Sequence, residues 1–131
     1  MGKYGEVAII AVNLIIGEKA TDPIEAWQIA VKKIFPDSES SRKKGCPRST
    51  FLGLCESGYI PGVTEGKYTT SVKNKNYAIK ALNLLTTNPD LSHDRNRLWD
   101  LVIDGVAKQH NSQMDIVLSL WENEMIEWGK L

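Results

Sequence analysis

The residues best equipped for chemistry lie in Ser40-Ser41-Arg42-Lys43-Lys44-Gly45-Cys46-Pro47-Arg48-Ser49-Thr50. Pro47 suits the first turn of a helix, where no amide hydrogen is needed. A helix starting there would leave the amides of Arg48, Ser49 and Thr50 pointing outward at its positive end, which favours anions. With Arg42, Lys43, Lys44 and two hydroxyls around that point, the chemistry is that of a phosphate cradle. It is not the P-loop of nucleotide hydrolases, because the spacing of glycines before a Lys-Ser/Thr pair is missing. The plainer reading is a solvated basic loop that leads into a helix.

A second basic stretch, Lys67-Tyr68-Thr69-Thr70-Ser71-Val72-Lys73-Asn74-Lys75-Asn76-Tyr77, interleaves cations with hydroxyls, amides and aromatics. Such side chains bind phosphates, and tyrosines stack on bases. No acidic residue occurs from Gly66 to Pro89. The competing reading makes the hydroxyls and asparagines helix caps and the lysines a solvated face. The two stretches together nominate Arg42, Lys43, Lys44, Arg48, Ser49, Thr50, Lys67, Tyr68, Lys73 and Lys75 as ligand-binding residues.

Catalysis is less well served. Cys46, at a helix start beside Lys43, Lys44 and Arg48, has a setting that favours the thiolate. A nucleophile also needs a base, and neither His93 nor His110 is near in sequence. Both histidines flank helices, where histidine serves as a cap or a surface residue. Cys55 is placed on the core side of the same helix. The pairs Asp90/Asp94, Asp100/Asp104 and Glu124/Glu127 could each share a helix face as metal ligands do, but such pairs are commonly solvated surface. Cys46 and Cys55 are too few for a disulfide framework and are not at a zinc spacing. No metal and no cofactor is expected, and no set of nucleophile, base and stabiliser can be assembled that would make the chain an enzyme.

The elements that must position these residues are mostly helical. Tyr4 to Ile16 is so rich in apolar residues that a helix there would be buried nearly all round; its β-branched members also suit a strand, but its length and Gly17 favour helix. Asp22, Pro23 and Glu25 form a helix start, followed by Ile24, Trp27, Ala30, Val31, Ile34 and Phe35 at helical spacing. A short third helix runs from Pro47 with Phe51, Leu54 and Cys55 inward and Gly58 as its left-handed stop. Residues 59–70 hold Pro61-Gly62 and Glu65-Gly66 among β-favouring residues, which would suit one small hairpin. A fourth helix runs from Lys73 or Asn74 to Thr86. A fifth starts near Ser92 with Leu98, Leu101, Val102 and Gly105 or Val106 inward. A sixth, capped by Ser112 with Asp115 in a near capping box, has Met114, Val117, Leu118, Trp121, Met125 and Trp128 on one face. The expected fold is all-α, a compact orthogonal bundle of about six short helices in one domain over residues 1–131. Trp27, Trp99, Trp121 and Trp128 read as core or interface anchors, with Trp128 the exception because terminal turns fray.

An apolar share of 42% and a charged share of 24% are ordinary for a globular protein. The longest apolar run is too short and too soon broken to span a bilayer, and the amino terminus lacks the pattern of a secretory signal, so a cytoplasmic location without membrane contact is expected. The 16 basic and 16 acidic residues balance overall, but not along the chain. Residues 42–89 carry a net charge of +6, against −2 before them and −4 after them. Such asymmetry bears on partners and says nothing about fold.

The stretch Cys46-Pro47-Arg48-Ser49-Thr50-Phe51-Leu52-Gly53-Leu54-Cys55-Glu56-Ser57-Gly58, with Asn74-Lys75-Asn76-Tyr77-Ala78, resembles small bacterial proteins of unknown function. The resemblance implies a bacterial or phage origin and brings no activity or site residues with it. The residues themselves point first to a non-catalytic module that holds a phosphate-bearing small ligand or an acidic protein surface. A second reading is a nucleic-acid binder of winged-helix type, with residues 59–70 as the wing. A third is a homo-oligomeric structural or regulatory protein in which the basic middle of one copy meets the acidic end of another.

Overall fold

The apolar stretch near the amino terminus is a helix, α1 (Lys3–Ile16), in the computed structural model, which describes residues 2–106 and 108–130. It buries Val7, Ala8, Ala11 and Val12, the one-and-four spacing of a helix face. In α2 (Pro23–Ile34) the start read from sequence forms: Asp22 Oδ1 accepts the Glu25 amide at 2.8 Å, and Glu25 Oε1 accepts the Thr21 amide at 3.0 Å. Trp27 on this helix stacks on Phe51, with ring centroids 5.3 Å apart.

One turn, α3 (Glu39–Arg42), precedes α4 (Gly45–Glu56). Pro47 is therefore the third residue of α4, not its first. The free first-turn amides belong to Gly45 and Cys46, while those of Arg48, Ser49 and Thr50 lie inside the helix and do not point outward as expected. Gly58, with φ +80°, ends the helix as expected.

The hairpin read over 59–70 does not form, and no strand occurs among the described residues. The backbone groups of this segment are taken by neighbours instead of by a partner strand. Glu56 Oε1 accepts the amides of Tyr68 at 2.9 Å and Thr69 at 3.3 Å, and the Tyr59 carbonyl accepts the Glu127 amide at 2.7 Å. β-favouring residues thus make an irregular strap whose backbone groups bond the Glu56 carboxylate and the Glu127 amide and not a second strand.

Then come α5 (Val72–Thr87), capped by Ser71, a 3₁₀ turn at Pro89–His93, α6 (Arg95–Ile103), capped by Asp94, and α7 (Gln113–Glu122). Ser112 does not make the capping box; its φ is 66° and its side chain accepts no cap bond. His110 Nε2 takes that role, accepting the Met114 amide at 3.0 Å. Because α7 stops at Glu122, Met125 and Trp128 lie beyond it and not on its face; Trp128 packs edge-on against Trp121. Val106, read as inward, is 60% exposed after Gly105 turns the chain with φ +83°.

Every residue of α7 from Gln113 to Leu120 is buried, and α1, α4, α5 and α6 pack around it. Among the described residues, no helix is long and apolar enough to cross a membrane.

Candidate functional site

Glu56, the last residue of α4, organises the region where the two basic stretches meet. Its Oε1 holds the Tyr68 and Thr69 amides, and its Oε2 lies 2.8 Å from Lys75 Nζ on α5. These bonds, Lys75 first and the Tyr68 amide next, bring its pKa down to about 2. One carboxylate thereby ties α4, the strap and α5 together. Gly53 lets the helices come this close: a Cβ there would lie 2.7 Å from Lys75 Cβ.

The strap is fixed further by its own hydroxyls. Tyr68 Oη donates to the Thr64 carbonyl at 2.6 Å, and Thr69 Oγ1 accepts the Ser71 amide at 3.1 Å. Between strap and α4 runs a groove of about 360 Å³ lined by Arg48, Ser49, Lys67, Tyr68, Thr69 and Thr70. Among the described residues its lining holds two cations and three residues with aliphatic hydroxyls, and no carboxylate. Glu56 lies outside this lining with its charge engaged by two amides and an ammonium, and the lining cations Arg48 and Lys67 give the groove positive charge.

Arg48 also borders a second groove, of about 310 Å³, with Trp27, Gln28, Val31, Arg42 and Lys43. Arg42 is held there by its Nη1, which donates to the carbonyls of Phe35 at 2.7 Å and Pro36 at 2.8 Å. Lys43 pairs with Glu39 at 2.7 Å, both side chains being exposed, which adds little stability.

The nominated residues therefore divide. Arg48, Ser49, Lys67 and Tyr68 share one groove, and Arg42 and Lys43 adjoin it across Arg48. Lys44 lies elsewhere, 3.3 Å from Asn111 Oδ1, in a third groove with Gln109, His110 and Asn111. Thr50 is buried and spends its hydroxyl on the Cys46 carbonyl at 2.8 Å. Lys75 is tied to Glu56, and Lys73 is exposed on α5 and lines none of these three grooves. Glu56, Trp27 and Gln28 were missed. Glu56 had a signal: it and Glu65 are the only acids among residues 42–89.

Cys55 is buried, and burial pushes its thiol far above the usual range. Cys46 is half-buried. His110, half-buried against the Trp99 ring at 5.1 Å, has its pKa lowered by burial, with Asp115 and Arg95 acting in opposite directions.

Fold and groove together define an all-helical domain with a cationic, hydroxyl-lined groove between a helix and an irregular strap. The chain belongs to DUF6979, a family of unknown function, whose model matches residues 1–127. No curated protein and no solved structure matches the chain.

Proposed function

We propose that the protein binds a phosphate-bearing small ligand in the groove between α4 and the strap, without transforming it. The observation that carries this reading is that Arg48 and Lys67 face one groove with Ser49, Thr69 and Thr70, and no lining carboxylate opposes them. Guanidinium and ammonium groups supply charge-assisted bonds to phosphate oxygens, and hydroxyls complete the shell. The groove volume is at the lower end of the roughly 300–1,000 Å³ of small-ligand sites, which suits a phosphate with a modest organic group. Ligand binding here uses side chains; the strap amides of Tyr68 and Thr69 are occupied by Glu56. The winged-helix reading loses its wing, because residues 59–70 form no strand.

Titration of the ¹⁵N-labelled protein with inorganic phosphate and a sugar monophosphate tests the proposal. The amides of Ser49, Thr69 and Thr70 shift, Arg48→Ala and Lys67→Ala each weaken binding at least tenfold, and Arg97→Ala on α6 leaves it unchanged. Equal weakening by Arg97→Ala would mean a diffuse charge effect and not a site.

A further inference from the structure

Trp27 is 1% exposed, and its indole N–H has no hydrogen-bond partner among the described residues. Buried donors are paired in the great majority of cases, so an unpaired one calls for an explanation. Trp27 lines the second groove, together with Gln28, Arg42, Lys43 and Arg48. Every polar side chain of that set can donate a hydrogen bond, and none is a carboxylate. Arg42 is held by two carbonyls through Nη1 alone, which leaves its Nε and Nη2 donors for another acceptor. Arg48 borders this groove and the first one, so it is the residue the two donor-lined compartments share.

We infer that the second groove is a second oxyanion subsite, and that the ligand is a small molecule carrying two phosphoryl groups on one organic core, one on each side of Arg48. The inference rests on the phosphate reading of the first groove. One phosphoryl group lies with Lys67 and the strap hydroxyls; the other lies beside Trp27 with Arg42 and Lys43, taking Lys43 from its exposed pair with Glu39. A single phosphate would satisfy only one compartment. Two linked groups gain from both, because the second binds at the high effective concentration set by the core that joins them.

The test compares glucose 1,6-bisphosphate with glucose 6-phosphate on the intact protein by ¹H–¹⁵N NMR, where each tryptophan gives one indole resonance. Trp27→Phe identifies the Trp27 signal by its loss and keeps the ring stacked on Phe51. The bisphosphate is expected to bind at least tenfold more tightly than the monophosphate and to move the Trp27 indole resonance. Lys43→Ala, an exposed position that leaves the fold intact, should cut bisphosphate affinity about fivefold and leave monophosphate affinity unchanged. If both ligands shift Ser49 and Thr69 with equal affinity and the Trp27 resonance stays still, the second subsite is refuted and the first stands. If neither ligand shifts any of these signals, both readings fail.

Discussion

The ammonium of Lys75 lies 2.8 Å from Glu56 Oε2, while the other oxygen of that carboxylate accepts two backbone amides of the strap. This bond converts a lysine that looked like a ligand contact into a structural tie. It also pairs the Glu56 charge with an ammonium, which weakens its opposition to an anion in the groove. The groove is thus built by an acid, although its own lining is basic.

Glu56→Ala should cost about 2–3 kcal/mol of stability, since it removes a charged acceptor and orphans two partly buried amides. Urea denaturation measures this directly. The same variant should weaken phosphate binding while leaving Arg48 and Lys67 in place, because the strap is no longer held. A loss below about 0.5 kcal/mol would mean that the strap is positioned by something else.

Acid should dissolve the same tie. Glu56 titrates near 2 in the fold against 4.5 in the unfolded chain, so its stabilisation is complete above 4.5 and is lost as pH falls toward 2. The stability difference between the protein and Glu56→Gln should therefore hold constant from neutral pH down to about 5 and shrink below it.

His110 sets a separate and higher window. Its folded pKa lies below the ordinary 6.5, so the unfolded chain takes up the proton first, and stability is full above that value and declines as pH falls below it. Protonation also removes the acceptor that caps α7 at Met114. Thermal unfolding between pH 7.5 and 5 should show a falling midpoint for the protein and a flatter curve for His110→Gln. Parallel curves would exclude this histidine as the cause.

Gly53→Ala gains helix propensity worth about 1 kcal/mol but drives a methyl to within 2.7 Å of the Lys75 Cβ. Overpacking of this kind costs roughly 1–3 kcal/mol, and the partner is close to backbone and cannot swing aside. A net loss of up to about 2 kcal/mol is expected, read from the urea midpoint. Stabilisation by this variant would place α4 and α5 further apart than described.

The two cysteines should separate by reactivity. A disulfide reagent such as DTNB should modify Cys46 in the native protein and reach Cys55 only after denaturant is added, since Cys55 is buried and held as the neutral thiol. Two fast thiols in the native state would contradict the burial of Cys55.

Local signals carried most of the fold. The Asp22–Glu25 start, the Gly58 stop and the apolar faces of α1, α2 and α5 were legible because each depends on residues within one or two turns. The strap was not. Residues 59–70 have the composition of a hairpin, and side-chain and tertiary bonds, to Glu56 and Glu127 among them, decide otherwise. The cap of α7 failed for a similar reason: Ser112 has the right side chain, but its backbone is left-handed and His110 reaches the amide first. Of the site, Arg48, Lys67 and Tyr68 were marked as candidates by charge and residue type, whereas the diversion of Lys44, Thr50 and Lys75 depends on Asn111, the Cys46 carbonyl and Glu56. Charge pattern marks a region; it does not say which cations are already paired.

The most direct measurement is the thermal unfolding midpoint of the protein with increasing inorganic phosphate, set beside that of the Arg48→Ala, Lys67→Ala double variant at constant ionic strength. Selective binding to the folded state raises the midpoint with the logarithm of ligand concentration, so the unaltered protein should climb and the variant should stay flat. Matching curves, whether both rise or neither does, would contradict a phosphate site between α4 and the strap.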